Sequence, residues 1–273
     1  MTTGGQFKIV TIAALVALVG MGNQAGAAQC GSTASGFEAW KKQFADEARG
    51  RGVSASSVAA LMATSYASAT IAADRGQKSF RLSLDQFLAK RGGSTIVARG
   101  RALRQSHAAL FASLEDRFGV PPGPLLAIWG METLFGKLRG NQHTLSAVAT
   151  LAYDCRRSAF FTEQLYATLT LIDRGTLSAD TRGSMHGELG QTQFMPKSIL
   201  HYGTGGSLDI AANALASTAN FLRAHGWRAG AGYQPGEANF AAIQAWNSAS
   251  VYQRAIALIG QQIDGDEGRS ARR

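Results

Sequence analysis

The chain is 273 residues long, enough to bury a sizeable core as one large domain or two small ones. Hydrophobic residues make up 45% and proline only 5 positions, which argues against long disordered stretches, and the 32 glycines follow no collagen-like period. A net charge of +9 suits an anionic polymer as partner or serves solubility alone, but no Lys/Arg run with interleaved aromatics points to nucleic acid.

Residues 1–28 stand apart. Lys8 gives a short positive start, residues 9–19 are uncharged and mostly apolar, and Ala25-Gly26-Ala27 offers the small-x-small pattern of a signal-peptide cleavage site. The apolar run falls short of the ~20 residues that span a bilayer. A cleaved export signal and a periplasmic location are therefore expected. Gln29, not a small residue, precedes Cys30, which argues against lipid anchoring. Cys30 and Cys155 are the 2 cysteines of the chain. In an oxidising compartment they are expected to form a bridge, the alternative being two unrelated thiols.

Helical periodicity dominates the rest of the chain. Phe37, Trp40, Phe44 and Ala48 share one face before Gly50 and Gly52. Ser54 caps a helix through Val58, Leu61 and Met62. Further helices are predicted over residues 82–90, 105–118, 160–172, 209–225 and 250–259, with Gly92-Gly93, Gly119, Gly175 and Gly226 as stops. Pro121 and Pro122 open another, carrying Leu125, Ile128, Trp129 and Phe135. Residues 182–196 read as loop, and the chain from about Asp264 reads as a solvated tail. Alternating strand patterns are scarce, so the fold class expected is mainly α with a small β element.

Glu132 carries the chemical interest. Leu125, Ile128, Trp129 and Glu132 fall at i, i+3, i+4 and i+7, which puts a carboxyl on an apolar stripe. Burial raises a carboxyl pKa, as a general acid for a glycosidic bond requires. The same pattern fits a structural glutamate held by a cation such as Arg139, and pattern alone favours that second reading. The glycine-broken loop from Gly187 to Pro196 places Gln191 and Gln193 where backbone and amides can meet a sugar, although such loops are usually only turns. The histidines His107, His143, His186, His201 and His225 show no close ligand spacing, so no metal is expected. Ser184 lies in Gly-Ser-Met-His-Gly, which is not the hydrolase nucleophile elbow.

Over residues 37–260 the chain resembles the lytic murein transglycosylases of the membrane-bound lytic transglycosylase B type. The motifs that carry the resemblance come in order. They are Ala73-Asp74-Arg75-Gly76-Gln77-Lys78-Ser79-Phe80, then Gly119-Val120-Pro121 with Ile128-Trp129-Gly130-Met131-Glu132-Thr133-Leu134-Phe135-Gly136. Ala149-Thr150-Leu151-Ala152-Tyr153 and Arg156-Arg157-Ser158-Ala159-Phe160-Phe161 come next. The Gly190-to-Pro196 loop, Ala216-Ser217-Thr218-Ala219-Asn220-Phe221-Leu222 and His225-Gly226-Trp227 complete the set.

The resemblance implies a lysozyme-like, mostly helical catalytic domain with a deep glycan groove, here over residues 29–262, between the signal peptide at 1–28 and a disordered tail at 263–273. It implies cleavage of the bond between N-acetylmuramic acid and N-acetylglucosamine without water, leaving 1,6-anhydromuramyl ends. Glu132 would be the catalytic acid and then base. Ser184, Gln193, Trp246 and Asn247 would bind substrate, Asn247 orienting an N-acetyl group. Trp246 stands where the family has tyrosine, which exchanges a hydroxyl for an N–H donor on an aromatic wall. His201-Tyr202-Gly203-Thr204-Gly205-Gly206-Ser207 replaces the Asp-rich calcium loop of some relatives, so neither calcium nor another cofactor is expected. Peptidoglycan strands are the implied partner, with cell-envelope proteins as further partners and a monomer as the default state; after Gly260 no length remains for an added wall-binding module. The alternatives are a hydrolytic muramidase, with Asp154 or Glu188 tried as second carboxylate, and an inactive wall-binding protein, whose mark would be a lost Glu132.

Overall fold

The computed structural model describes residues 28–76 and 82–265. Residues 1–27 of the expected export signal, Gln77 to Phe80 of the first family motif, and residues 266–273 of the expected tail lie outside these. Among the described residues, helices account for nearly all regular structure. In chain order they are α1 (Phe37–Gly50), α2 (Ala55–Met62), α3 (Ser68–Arg75), α4 (Leu84–Arg91), α5 (Gly93–Ser106), α6 (Ala108–Phe118) and α7 (Pro122–Thr133). They continue with α8 (Thr144–Tyr153), α9 (Ser158–Asp173), α10 (Pro196–Tyr202), α11 (Ala211–Ala224), α12 (Phe240–Trp246) and α13 (Ser250–Asp264). The strands β1 (Gln142–His143) and β2 (Arg182–Gly183) form one antiparallel pair, with Gln142 opposite Gly183 and His143 opposite Arg182.

Local chemistry sets the helix ends. Ser54 accepts from the Ser57 N–H at 3.2 Å, as its position predicts. Ser83 and Gln86 make a reciprocal capping box on α4, and Gly92 and Gly119 terminate α4 and α6 in the left-handed conformation. Five helices, α3, α5, α8, α10 and α12, appear where the sequence pattern predicts none. In α8 every residue is buried, so no polar face marks its period. The loop expected over 182–196 is present, with the strand β2 at its start.

The buried side chains form two hydrophobic cores. Phe37, Trp40, Phe44, Val58 and Leu61 pack against Leu145, Leu151, Phe161 and Leu165, joining α1 and α2 to α8 and α9. The larger core surrounds α7 with Ile96, Phe111, Leu215, Leu222, Ile256 and Ile259. Each such side chain taken fully out of water stabilises the fold by about 2 kcal/mol. Helix α7 is apolar all round and buried along its whole length up to Met131, not merely striped.

Helix α13 lies against α7, where Gly123 abuts the Gly260 carbonyl so closely that no Cβ would fit. This helix continues five residues past the predicted end at 259. Ile263 and Asp264 are buried, which corrects their assignment to a tail. Asp264 accepts from the Gly123 N–H at 2.7 Å and from the Tyr233 hydroxyl at 2.7 Å, placing an acceptor on the otherwise unpaired first turn of α7. At the other end of the chain Cys30 and Cys155 form a disulfide. Backbone bonds from Gly31 N–H to Tyr153 O (2.9 Å) and from Cys155 N–H to Gly31 O (3.1 Å) flank it.

Candidate active site

Glu132 is the penultimate residue of α7 and the only ionisable group on that helix. Just beyond it the backbone turns left-handed at Leu134, Phe135 and Gly136, with φ of 49°, 60° and 83°. Non-glycine residues in that region cost of order 1 kcal/mol each, so something must hold them. Thr133 does much of this. Its Oγ1 accepts from the Gly136 N–H at 2.8 Å and donates to the Gln191 carbonyl at 2.6 Å. Phe135 folds back edge-on to Trp129, with centroids 5.4 Å apart, while the Trp129 Nε1–H donates to Gln191 Oε1 at 2.8 Å. A Cβ at Gly136 would collide with that same Gln191 oxygen. The Glu-Thr-Leu-Phe-Gly run is therefore a lock between α7 and the Gly190-to-Pro196 loop.

The locked loop forms one wall of a pocket of about 120 Å³ that opens above Glu132. Gln193 and Phe194 line it from this loop, Glu188 from just before it, Phe221 from α11, Trp246 from α12, and Asn247 just after α12. Gln193 is itself left-handed (φ 56°), and its Nε2 donates to the Gly190 carbonyl at 2.9 Å. Phe194, Phe221 and Trp246 meet edge-on at 5.1 to 6.2 Å, giving a firm aromatic wall.

Burial drives the Glu132 pKa from an ordinary 4.5 up to about 7. The nearby charge of Glu188 pushes the same way, and Tyr252, Trp246 and Arg91 pull against it. The Trp246 indole donates to Glu132 Oε1 at 3.2 Å. An indole N–H can only donate, so Oε1 stays an acceptor and the acidic proton belongs on Oε2. The buried Tyr252 hydroxyl, from α13, has no hydrogen-bond partner of standard geometry, so it acts on Glu132 as a neighbouring phenol. Arg91, at the end of α4, sits 5.9 Å from the Tyr252 ring centroid and donates to the Met131 carbonyl at 3.3 Å. Arg139, the cation proposed for a structural Glu132, instead pairs with Asp209 at 2.7 Å.

Of the residues expected at the site, Glu132, Gln193, Trp246 and Asn247 line the one pocket. Ser184 does not line it; its hydroxyl donates to Glu188 Oε2 at 2.7 Å and accepts from the His186 and Glu188 N–H groups. Asn247 Oδ1 accepts from the Ala249 N–H at 3.0 Å, which leaves Nδ2 as the amide's donor end. Asp154 is committed elsewhere, bonded to Arg75 at 2.6 Å. Tyr252 and Arg91 carry no signal in the sequence: one reads as a core tyrosine, the other as a basic helix end. Among the described residues no group of three or more His, Cys, Asp or Glu gathers to hold a metal.

A mainly helical body, with a glutamate near the end of its central apolar helix lining a pocket, places the protein in the lysozyme-like fold class. The Transglycosylase SLT domain model matches residues 36–235, and the chain belongs to that family. The membrane-bound lytic murein transglycosylase B of Escherichia coli is 36% identical over 118 residues, which are 40% of this chain and 33% of the other, so the match spans a third of that relative's length. SltB3 from Pseudomonas aeruginosa, solved in complex with NAG-anhNAM-pentapeptide, superposes with a TM-score of 0.76 and 27% identity over 84% of this chain and 80% of that one. The Escherichia coli transglycosylase Slt35, in complex with bulgecin A, shares the fold with a TM-score of 0.71 and 22% identity, over 91% of this chain and 98% of that one.

Proposed function

We propose that the chain is a lytic murein transglycosylase with Glu132 as its acid and base. The observation that carries this reading is a carboxyl that lines the pocket near the end of the apolar helix α7, where burial raises its pKa to about 7. Relatives agree with it: SltB3 has been captured with NAG-NAM-pentapeptide as well as with NAG-anhNAM-pentapeptide.

Cleavage begins when Glu132 Oε2 gives its proton to the oxygen linking N-acetylmuramic acid to N-acetylglucosamine, and the C1–O4 bond breaks. The substrate's own N-acetyl oxygen stabilises the positive centre at C1, with Asn247 Nδ2 as the donor that orients it. Glu132, now a carboxylate held by the Trp246 N–H, takes the proton of the C6 hydroxyl as that oxygen bonds to C1. A 1,6-anhydromuramyl end forms, Glu132 is protonated again, and no water is consumed. The internal nucleophile is already in place, which favours this route over attack by water. Gln193 offers its amide to the sugars. Residues 1–28 act as a cleaved export signal, which delivers the enzyme to the periplasm. No helix among the described residues is long and apolar enough to cross a membrane.

Mass spectrometry of peptidoglycan digested by the protein and by Glu132→Gln tests the reading. Anhydromuramyl products from the wild type alone support it. Reducing-end products one water heavier indicate a muramidase, and silence from both variants indicates a binding protein.

A further inference from the structure

The transglycosylase chemistry leaves one ionisable group in the pocket unused. Glu188 lines the same cavity as Glu132 but comes from the loop after β2 rather than from α7. Its side chain is fixed: Oε2 takes the Ser184 hydroxyl at 2.7 Å, and its own N–H donates to Ser184 Oγ at 3.1 Å. Holding a hydroxyl needs only an oxygen. A full negative charge beside a second carboxyl costs free energy that a glutamine would avoid.

That charge reaches in two directions. On one side it acts on Glu132 and on Tyr252; on the other it acts on His186 and Arg157. Of these two, the cation Arg157 already has a counterion. Asp74, almost wholly buried, pairs with Arg156 and Arg157 and lies 3.7 Å from His186 Nε2. Glu132 meets Arg91 from α4, Trp246 from α12, Tyr252 from α13 and Glu188 from the loop, and of these only Glu188 is an acid.

We propose that Glu188 is a second working carboxylate, whose charge stabilises the positive charge that develops on the sugar ring while Glu132 delivers its proton. Resting on the transglycosylase reading, this gives the pocket two acids with separate duties. Glu188 forms no bond and moves no proton; it lowers the energy of the cation that the N-acetyl group then captures. Preorganised charge aimed at a developing ion is a large catalytic influence in a site shielded from water.

The test is Glu188→Gln, which keeps an oxygen for Ser184 and removes the charge, with Glu188→Asp alongside. Release of anhydromuropeptides from purified peptidoglycan is followed from pH 5 to 9. The expected result for Glu188→Gln is a kcat lower by on the order of 100-fold with KM little changed. Its high-pH limb should move to lower pH, because a charge that helps keep Glu132 protonated is gone. Glu188→Asp should turn over faster than Glu188→Gln. A glutamine variant with wild-type kcat and an unmoved limb would overturn the proposal, as would an aspartate variant slower than the glutamine one. A wild type that releases no anhydro product would overturn the underlying reading, and the proposal with it; an active wild type matched by Glu188→Gln overturns the proposal alone.

Discussion

Glu132 should cost the protein stability, and the cost has a definite pH signature. In the unfolded chain its pKa returns to 4.5, while in the folded protein it is about 7. Below pH 4.5 both states carry the proton and the site costs nothing. Between 4.5 and 7 the unfolded chain releases its proton first, so stability falls as pH rises; above 7 both states are ionised and the loss is complete. A difference of that size corresponds to about 3 kcal/mol, at 1.36 kcal/mol per unit. Glu132→Gln removes the titration and keeps the shape. Urea unfolding of the two proteins at pH 4, 6 and 8.5 isolates the effect, because every other titrating group is common to both. The stability of the glutamine variant relative to wild type should rise by about 3 kcal/mol from pH 4 to 8.5. Parallel curves would refute the assignment of a raised pKa to Glu132, and with it the central premise of the mechanism.

Trp246→Phe keeps the aromatic wall against Phe194 and Phe221 but deletes the donor to Glu132 Oε1, so the high-pH limb of activity should move upward by up to roughly one unit. A pH–rate series checks this, and an unmoved or lowered limb counts against the hydrogen bond. Asp264→Ala should destabilise the fold by about 1–3 kcal/mol, since it removes the buried acceptor of the Gly123 N–H and a hydrogen bond from the Tyr233 hydroxyl. Chemical denaturation measures the loss, and truncation after residue 262, which also removes the buried Ile263, should cost more.

The predicted helices that carry an amphipathic stripe and a recognisable cap or stop, such as α1, α2 and α9, are present close to their expected bounds. Helices with no stripe to read are invisible to the pattern. Helix α8 has no exposed face, and α10 and α12 are too short to show a period. Glu132 is legible because it ends a helix that is otherwise apolar, and because an ordered motif surrounds it. Its electrostatic neighbours are not. Tyr252 and Arg91 reach it from α13 and α4, and nothing in their own segments marks a tyrosine or an arginine that will face Glu132. The placing of Ile263 and Asp264 in a tail fails for the same reason: Asp264 looks like a polar residue near a terminus until Gly123, far away in sequence, is seen to need its oxygen.

These distant contacts also explain why a single lock-and-brace arrangement serves both fold and chemistry. Glu132 must be dry enough to hold its proton yet placed to release it on demand. Dryness comes from a helix buried on all sides, packed backbone to backbone on α13 and anchored at its start by Asp264. Release needs the carboxylate to be tolerable once formed, and the Trp246 N–H, the Tyr252 phenol and Arg91 supply that counter-pull without forming a full ion pair. A close salt bridge would have dropped the pKa below the working range, as the pairing of Arg139 with Asp209 avoids. The strained Leu134–Phe135–Gly136 turn then ties this balanced acid to the loop that carries Gln193 and Glu188, so the Glu132 carboxyl, the Gln193 amide and the Glu188 carboxylate are held together around one pocket.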